Sequence, residues 1–338
     1  MHILVTGGAG FIGCNFVRYL LEQMPEASVR VLDKLTYAGS RENLADAIGD
    51  PRVTMRLGDS PGEGDICDPA AVRKAMVGVD VVVHLAAESH VDRSILRPQP
   101  AMQTNFLGTF VLLEAAREAQ PQRFLHVSTD EVYGPIESGE FDEAAPLNPR
   151  NPYSASKAGA DLLAQGYFAT YDLPVIISRP CNNYGPYQYP EKLVPLFVYR
   201  ALHDEPLPVY GDGRQRRDWL HVADHCRAMQ VLLEKGEPGE VYNIPAGNEH
   251  ENLETVRVIL DELGKPESLI KHVPDRPGHD VRYAMSGEKI AALGWRPEVA
   301  WEEGLRRTVR WFAEHQDWLE RSLARSKEYF DTWYRQRS

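Results

Sequence analysis

Four cysteines in 338 residues leave little scope for covalent stapling. Cys14, Cys67, Cys181 and Cys226 stand far apart, with no C-x-x-C pair and no His/Cys cluster at metal-ligand spacing. They read as isolated reduced thiols of a cytoplasmic protein, without a disulfide framework or a bound metal. Positive charge is also short: 37 Lys and Arg against 49 Asp and Glu give a net charge of −12. So acidic a chain lacks the electrostatic footprint of a nucleic-acid binder and suits no anionic membrane surface. A small anionic ligand is still allowed, because a few local cations and backbone N–H groups can hold one. No apolar run approaches the ~20 residues of a membrane span. The chain starts directly in a strand pattern, without the charged region and cleavage site of a signal peptide.

What is present is ordinary globular material, 43% hydrophobic and 25% charged. At roughly 100–200 residues per domain, two domains are expected. Short apolar runs at 2–6, 29–32, 53–57, 79–85, 124–127 and 175–178 alternate with helical patterns, one of them over 100–119. Near-continuous Val/Ile/Leu runs are strands buried on both faces, and the alternation implies a parallel sheet with helices on either side. The fold class is therefore α/β, a Rossmann-like doubly wound sheet with a smaller, partly interleaved C-terminal domain. After about residue 180 the texture changes. All six tryptophans lie at or beyond Trp219, and long helical patterns run from Glu302 to about Tyr334. We place a dinucleotide domain at 1–180, with later segments returning to it, and a substrate domain at 181–338.

Residues 6–13 read TGGAGFIG, with Gly7, Gly10 and Gly13 between a strand and a helix pattern. Glycines there permit a tight turn and close approach to a pyrophosphate at a helix N-terminus. Asp33 ends the next strand, twenty residues after Gly13. A carboxylate there accepts from the adenosine ribose and repels a 2′-phosphate, which favours NAD over NADP.

Tyr153 and Lys157 form a Y-x-x-x-K pair, one helical turn apart on a shared face. The ammonium and an oxidised nicotinamide would both pull the phenol pKa down, so that Tyr153 can take a hydroxyl proton as hydride leaves the same carbon. Residues 128–134, STDEVYG, follow a strand end, where ligands bind in doubly wound sheets. Two adjacent carboxyls there can divide the work, a neutral Asp130 donating a proton and an ionised Glu131 removing one.

Together these segments resemble the extended short-chain dehydrogenase/reductase family, and within it the nucleotide-sugar 4,6-dehydratases of the dTDP-glucose type. The similar stretches span almost the whole chain: TGGAGFIG, DKLTYAG from Asp33, HLAAESHVDRS from His84, STDEVYG, YSASKAG from Tyr153, NNYGPYQYPEKLVPLF from Asn182, and DRPGHD from Asp275. The resemblance implies a recycled NAD, a homodimer using the helices around 100–119 and 154–171, and catalysis by Thr129, Asp130, Glu131, Tyr153 and Lys157. It further implies that Phe11, Ile12, Lys34, Leu35, Thr36, Asp65, Ile66, Leu85, Ala86, Ala87, Thr104 and Asn183 line the NAD site, with the glycines and Asp33. Ser89 and Thr129 would face the hexose. Asn182, Lys192, Leu193, Pro208, Val209, Tyr210, Arg217, Asn252, Arg276 and His279 would hold the nucleotide diphosphate.

The chain departs from the family in the stretch GDSPGEGD, which offers two Gly-Asp pairs for the adenine-side acid. Strand length favours Asp59; Asp65 keeps the following Ile-Cys-Asp in phase and is the one adopted. Ser286 and His221 also replace the family's Asp and Tyr and read as peripheral. Rival readings are a UDP- or CDP-glucose dehydratase, a sugar 4-epimerase that would not need Asp130 and Glu131, and a non-catalytic NAD-binding protein.

Overall fold

The computed structural model describes residues 1–60, 62–275 and 281–325. Within them lie β1 (His2–Thr6), β2 (Ser28–Asp33), β3 (Val53–Leu57), β4 (Val81–His84), β5 (Arg123–Val127), β6 (Val175–Pro180), β7 (Asn182–Tyr184), β8 (Leu207–Tyr210), β9 (Arg216–His221), β10 (Val241–Ile244), β11 (Glu249–Glu251) and β12 (Ile270–Val273). Seven form one parallel sheet, ordered β10-β6-β5-β4-β1-β2-β3. Every residue of β4 and of β6 is buried, the apolar runs Val81–Val83 and Val175–Ile177 together with the polar His84, Ser178 and Arg179 that follow them. Along β1 the side chains alternate: Ile3 and Val5 pack with Phe16, Val17 and Leu20, and Leu4 packs on the opposite face with Leu112, Leu113 and Phe124.

Winding reverses between β1 and β4, so their carboxyl ends splay and open a crevice. The loops after β1, β4, β5 and β6 meet there. Helix Pro152–Tyr171 runs along one face, started by a capping box between Asn151 and Ser154 and by Pro152 at its first position. The helical pattern expected over 100–119 begins at Pro98 and widens to a π turn over Met102–Gly108.

The remaining strands form a three-stranded sheet, β11-β9-β7, and a β12-β8 pair. Helices Leu193–Leu202, Asn252–Glu262 and Trp301–Glu314 enclose a separate core with Phe197, Ile259 and Phe312. A cut at residue 180 would not separate two bodies. β10 returns to pair with β6, and helix Val222–Lys235 brings Met229 and Leu232 into the core of the first lobe. The helical patterns expected from Glu302 to about Tyr334 fall into separate helices, Trp301–Glu314 and Gln316–Ala324, and residues 326–334 lie outside the described residues. His315 leaves helical geometry (φ −117°), and helix Gln316–Ala324 starts afresh.

Candidate active site

The crevice is a cleft of ≈ 440 Å³ lined by residues of both lobes. Its first half is built by glycines with different jobs. Gly7 has φ +70°, and a Cβ on it would lie 2.6 Å from the Ala86 nitrogen; a Cβ on Gly13 would lie 2.2 Å from the Gly7 oxygen. Those two hold the turn against β4 and against itself. Gly10 caps helix Phe11–Gln23 without a side-chain bond, so the first N–H groups of that helix have no side-chain partner at the cap.

Asp33 accepts from the Ala9 nitrogen (2.9 Å) and the Leu35 nitrogen (2.8 Å), fixing both oxygens beside this turn. Burial pushes its carboxyl above the usual range, and the two backbone bonds pull it back. Lys34 pairs with Asp65 at 2.6 Å, and Asp65 lines the cleft with Gly64 and Ile66. Asp59 turns outward to Arg41 on the surface. Gly58 and Gly64 both pack on the end of β2. A Cβ on Gly58 would lie 2.3 Å from the Lys34 oxygen, and one on Gly64 would lie 2.1 Å from the Asp33 oxygen. The extra stretch thus leaves and rejoins at the end of β2, and only its returning limb faces inward.

Phe11, Ile12, Thr36, Leu85, Ala86, Ala87, Thr104 and Asn183 all line the cleft. Leu35 does not. Its backbone sits at φ +53°, and its side chain packs on the core while its N–H serves Asp33.

The candidate reacting groups stand where β5 ends. Thr129 caps the turn Asp130–Tyr133, its hydroxyl donating to Asp130 at 3.1 Å and accepting from the Glu131 nitrogen at 3.3 Å. Asp130 is 3% exposed. Burial, and then the neighbouring Glu131, push its carboxyl up to about 8, so at neutral pH it holds a proton. Glu131 is partly exposed and accepts from the Asn151 amide at 3.4 Å. Tyr153 and Lys157 are both buried on helix Pro152–Tyr171.

The lowered phenol expected from the Tyr-Lys pair is not what the protein alone produces. Burial and then Glu131 push Tyr153 upward, and a hydrogen bond with Thr129 draws it partly back. The reason is geometric: the Lys157 ammonium is turned to the Val127 carbonyl, to which it donates at 2.8 Å. Burial also pushes Lys157 down to about 8, with Asp161 pulling it back up.

On the substrate side, Ser89, Asn182, Lys192, Leu193, Pro208, Val209, Tyr210, Arg217 and Asn252 line the far half of the cleft. The Lys192 ammonium donates to the Ser89 carbonyl at 2.9 Å, and Arg217 lies 4.9 Å from the ring centre of Tyr283. Arg276 and His279 fall outside the described residues. His221 accepts from the Ala223 nitrogen and caps helix Val222–Lys235, while Ser286 accepts from the Glu288 nitrogen; neither lines the cleft.

Sequence reasoning missed several groups. Gly39 lies against Asp33, its Cβ position 2.7 Å from the carboxylate. Glu191 is buried in the cleft wall and paired to Arg93 at 2.7 Å. A buried Asp161–Arg179 pair underlies the catalytic helix. Asp161 repeats the four-residue spacing of Tyr153 and Lys157, a signal visible in the sequence.

The fold and this cleft define a dinucleotide-dependent enzyme with two adjacent carboxyl groups, Asp130 and Glu131, in one cleft with a Tyr-Lys pair. The family follows from comparison: the model of the GDP-mannose 4,6-dehydratase family matches residues 4–308, and the chain belongs to that family. It is 54% identical to the low-salt glycan biosynthesis protein Agl12 of Haloferax volcanii, over 92% of this chain and 98% of that one. It is 50% identical to a dTDP-glucose 4,6-dehydratase of Streptomyces niveus, over 95% of each. Among solved structures it resembles DesIV, a dTDP-glucose 4,6-dehydratase from Streptomyces venezuelae with NAD bound. The TM-score is 0.91 and the identity 50%, covering 95% of this chain and all of that one.

Proposed function

We propose that the chain is an NAD-dependent dTDP-glucose 4,6-dehydratase, a hydro-lyase that yields the 4-keto-6-deoxy sugar. The observation that carries this reading is the carboxyl pair. Asp130 is held protonated to about pH 8 beside a partly exposed Glu131, within one cleft with Tyr153 and Lys157. A 4-epimerase has no use for such an acid. The glycine turn, with the capless helix start at Gly10 and the Asp33 carboxylate beside it, fits a dinucleotide.

Held by the glycine turn and Asp33, NAD would supply the hydride acceptor and donor, and its oxidised ring would supply a positive charge that favours the Tyr153 phenolate. Tyr153 takes the 4-OH proton, oriented by the Thr129 hydroxyl and with Lys157 below it. The new ketone acidifies H5, which Glu131 removes. Asp130 protonates the departing 6-oxygen, the C6–O bond breaks, and water leaves. Glu131 then returns its proton to C5. Arg217 and Lys192 suit the diphosphate, the guanidinium through its paired N–H groups.

Incubation with dTDP-glucose should give a 4-keto sugar, read by its absorbance in alkali, without net reduced cofactor. UDP- and CDP-glucose arms fix the base. Inertness towards all three refutes the reading, and dehydration retained in the Asp130→Asn/Glu131→Gln double variant refutes these acid and base roles.

The enzyme works as a homodimer in the cytoplasm. Met102, Leu107, Phe110 and Leu162 are exposed apolar residues on the two helices that would meet a second copy, and the four cysteines are unpaired. No helix among the described residues is long and apolar enough to cross a membrane.

A further inference from the structure

Beneath the reacting groups lies buried charge that the chemistry above does not use. Asp161 sits on the catalytic helix one turn beyond Lys157 and two beyond Tyr153, and it is fully buried. One of its oxygens accepts from Arg179 Nε at 2.9 Å, and the other lies 3.3 Å from His126 Nε2. Arg179 stands on β6, 2% exposed, the largest fully buried side chain among the described residues. Its other arm donates to the Tyr133 hydroxyl at 2.6 Å. That hydroxyl in turn donates to Asn243 Oδ1 on β10 at 2.8 Å.

Tyr133 closes the short turn that begins with Asp130 and Glu131. One guanidinium therefore joins the helix bearing Tyr153 and Lys157 to the turn bearing the acid and the base. Stability is a poor reason for such a group. The desolvation of a buried ion pair largely cancels its attraction, and apolar residues of equal volume serve a core as well or better. Geometry is a better reason. A planar fork holds each partner at a fixed distance and direction, which apolar packing does not.

We propose that Tyr133, Arg179 and Asp161 form a positioning strut that sets the acid–base turn against the catalytic helix. Oxidation at C4 and elimination across C5–C6 then take place in one pose of the sugar. The inference rests on the dehydratase reading and deepens it, because only an enzyme that performs both steps needs the two elements in register. An epimerase would need the helix alone.

Single-turnover kinetics with dTDP-glucose test this. The absorbance of the reduced cofactor rises with oxidation and decays after elimination, and deuterium entering C5 from solvent reports the base independently. Tyr133→Phe deletes one oxygen and leaves the ring in place. Its oxidation phase should stay within about twofold of wild type while elimination slows by roughly 10- to 100-fold, the usual result of misplacing a reacting group by about 1 Å. Reduced cofactor should then accumulate. Asp161→Asn should slow the oxidation phase instead, and Arg179→Lys should slow both. A Tyr133→Phe enzyme with both phases unchanged, or both slowed by one common factor, overturns the strut. Should Asp161→Asn fail to fold, Tyr133→Phe decides alone. Wild type run alongside separates the two ideas: without keto sugar from wild type the dehydratase reading falls, whereas wild-type turnover with uniform slowing in Tyr133→Phe removes only the strut.

Discussion

Asp130 keeps its proton to about pH 8 because burial and the adjacent Glu131 both disfavour its charged form. Two consequences follow, with opposite practical faces. As an acid it works below that pH, so turnover should decline through a midpoint near 8 on the alkaline side; a pH–rate profile checks this, and Asp130→Asn should be slow at every pH. As a buried group, its native pKa exceeds the ordinary carboxyl value of 3.8. The native state therefore binds more protons between about pH 4 and 8, and this group's contribution to stability falls as pH rises across that window. Lys157, pushed down to about 8 from 10.5, acts in the opposite sense, and only above pH 8. Melting temperatures of wild type and Asp130→Asn from pH 5 to 8 should accordingly diverge in favour of the variant as pH rises. The glycines part in the same residue-by-residue way. A Cβ on Gly10 meets only the Gly7 oxygen, at 3.3 Å, and the position has φ −83°. Gly10→Ala should fold with a melting temperature near wild type yet bind NAD at least about tenfold more weakly by titration calorimetry, since its methyl enters the space a pyrophosphate needs. Full NAD affinity in this variant would contradict the placement.

Elements explain which parts of this site are legible in a sequence. The glycine turn, the STDEVYG turn and the Tyr-Lys helix are each read from a short contiguous segment: the two turns directly follow β1 and β5, and the helix announces itself by its Asn-Pro start and the Tyr-Lys spacing. The strut is not local. Arg179 meets partners 18 and 46 residues away in sequence, brought together by the order β10-β6-β5. Leu35 differs for a related reason: the motif sets it beside the cofactor, and its left-handed backbone turns the side chain onto the core. Asp59 and Asp65 carry opposing sequence signals, strand length for one and motif phase for the other, and the cleft is lined by Asp65. The catalytic helix has a local device of its own. Asn151 caps it and also donates to Glu131. Asn151→Ala should cost about 1 kcal/mol in denaturant unfolding. Asn151→Asp, which keeps a cap, should recover most of that stability but not the wild-type turnover, because it presents no N–H to Glu131.

At the scale of the whole molecule, the −12 charge that argues against polyanion partners coexists with two anionic ligands in the proposed function. Binding therefore depends on a few placed groups, and the fold must hold both lobes in one geometry around them. The two lobes are tied at more points than the pairing of β10 with β6. Trp318, on helix Gln316–Ala324, donates its indole N–H to Asn43 Oδ1 at 2.8 Å, and the Asn43 amide donates to the Ala9 carbonyl at 2.9 Å. Ala9 lies in the glycine turn, and its own N–H is the one that fixes Asp33. A C-terminal helix thus braces the dinucleotide turn from the opposite lobe. Trp318→Phe keeps most of the apolar contact and leaves the buried Asn43 oxygen unpaired, a loss of about 1–3 kcal/mol. The melting temperature should fall by roughly 2–4 °C or somewhat more. NAD should dissociate faster in stopped-flow displacement, while the rate of the chemical steps at saturating NAD stays near wild type. An unchanged dissociation rate, with only the melting temperature lowered, would make Trp318 a packing residue and leave the dinucleotide turn to stand on its own lobe.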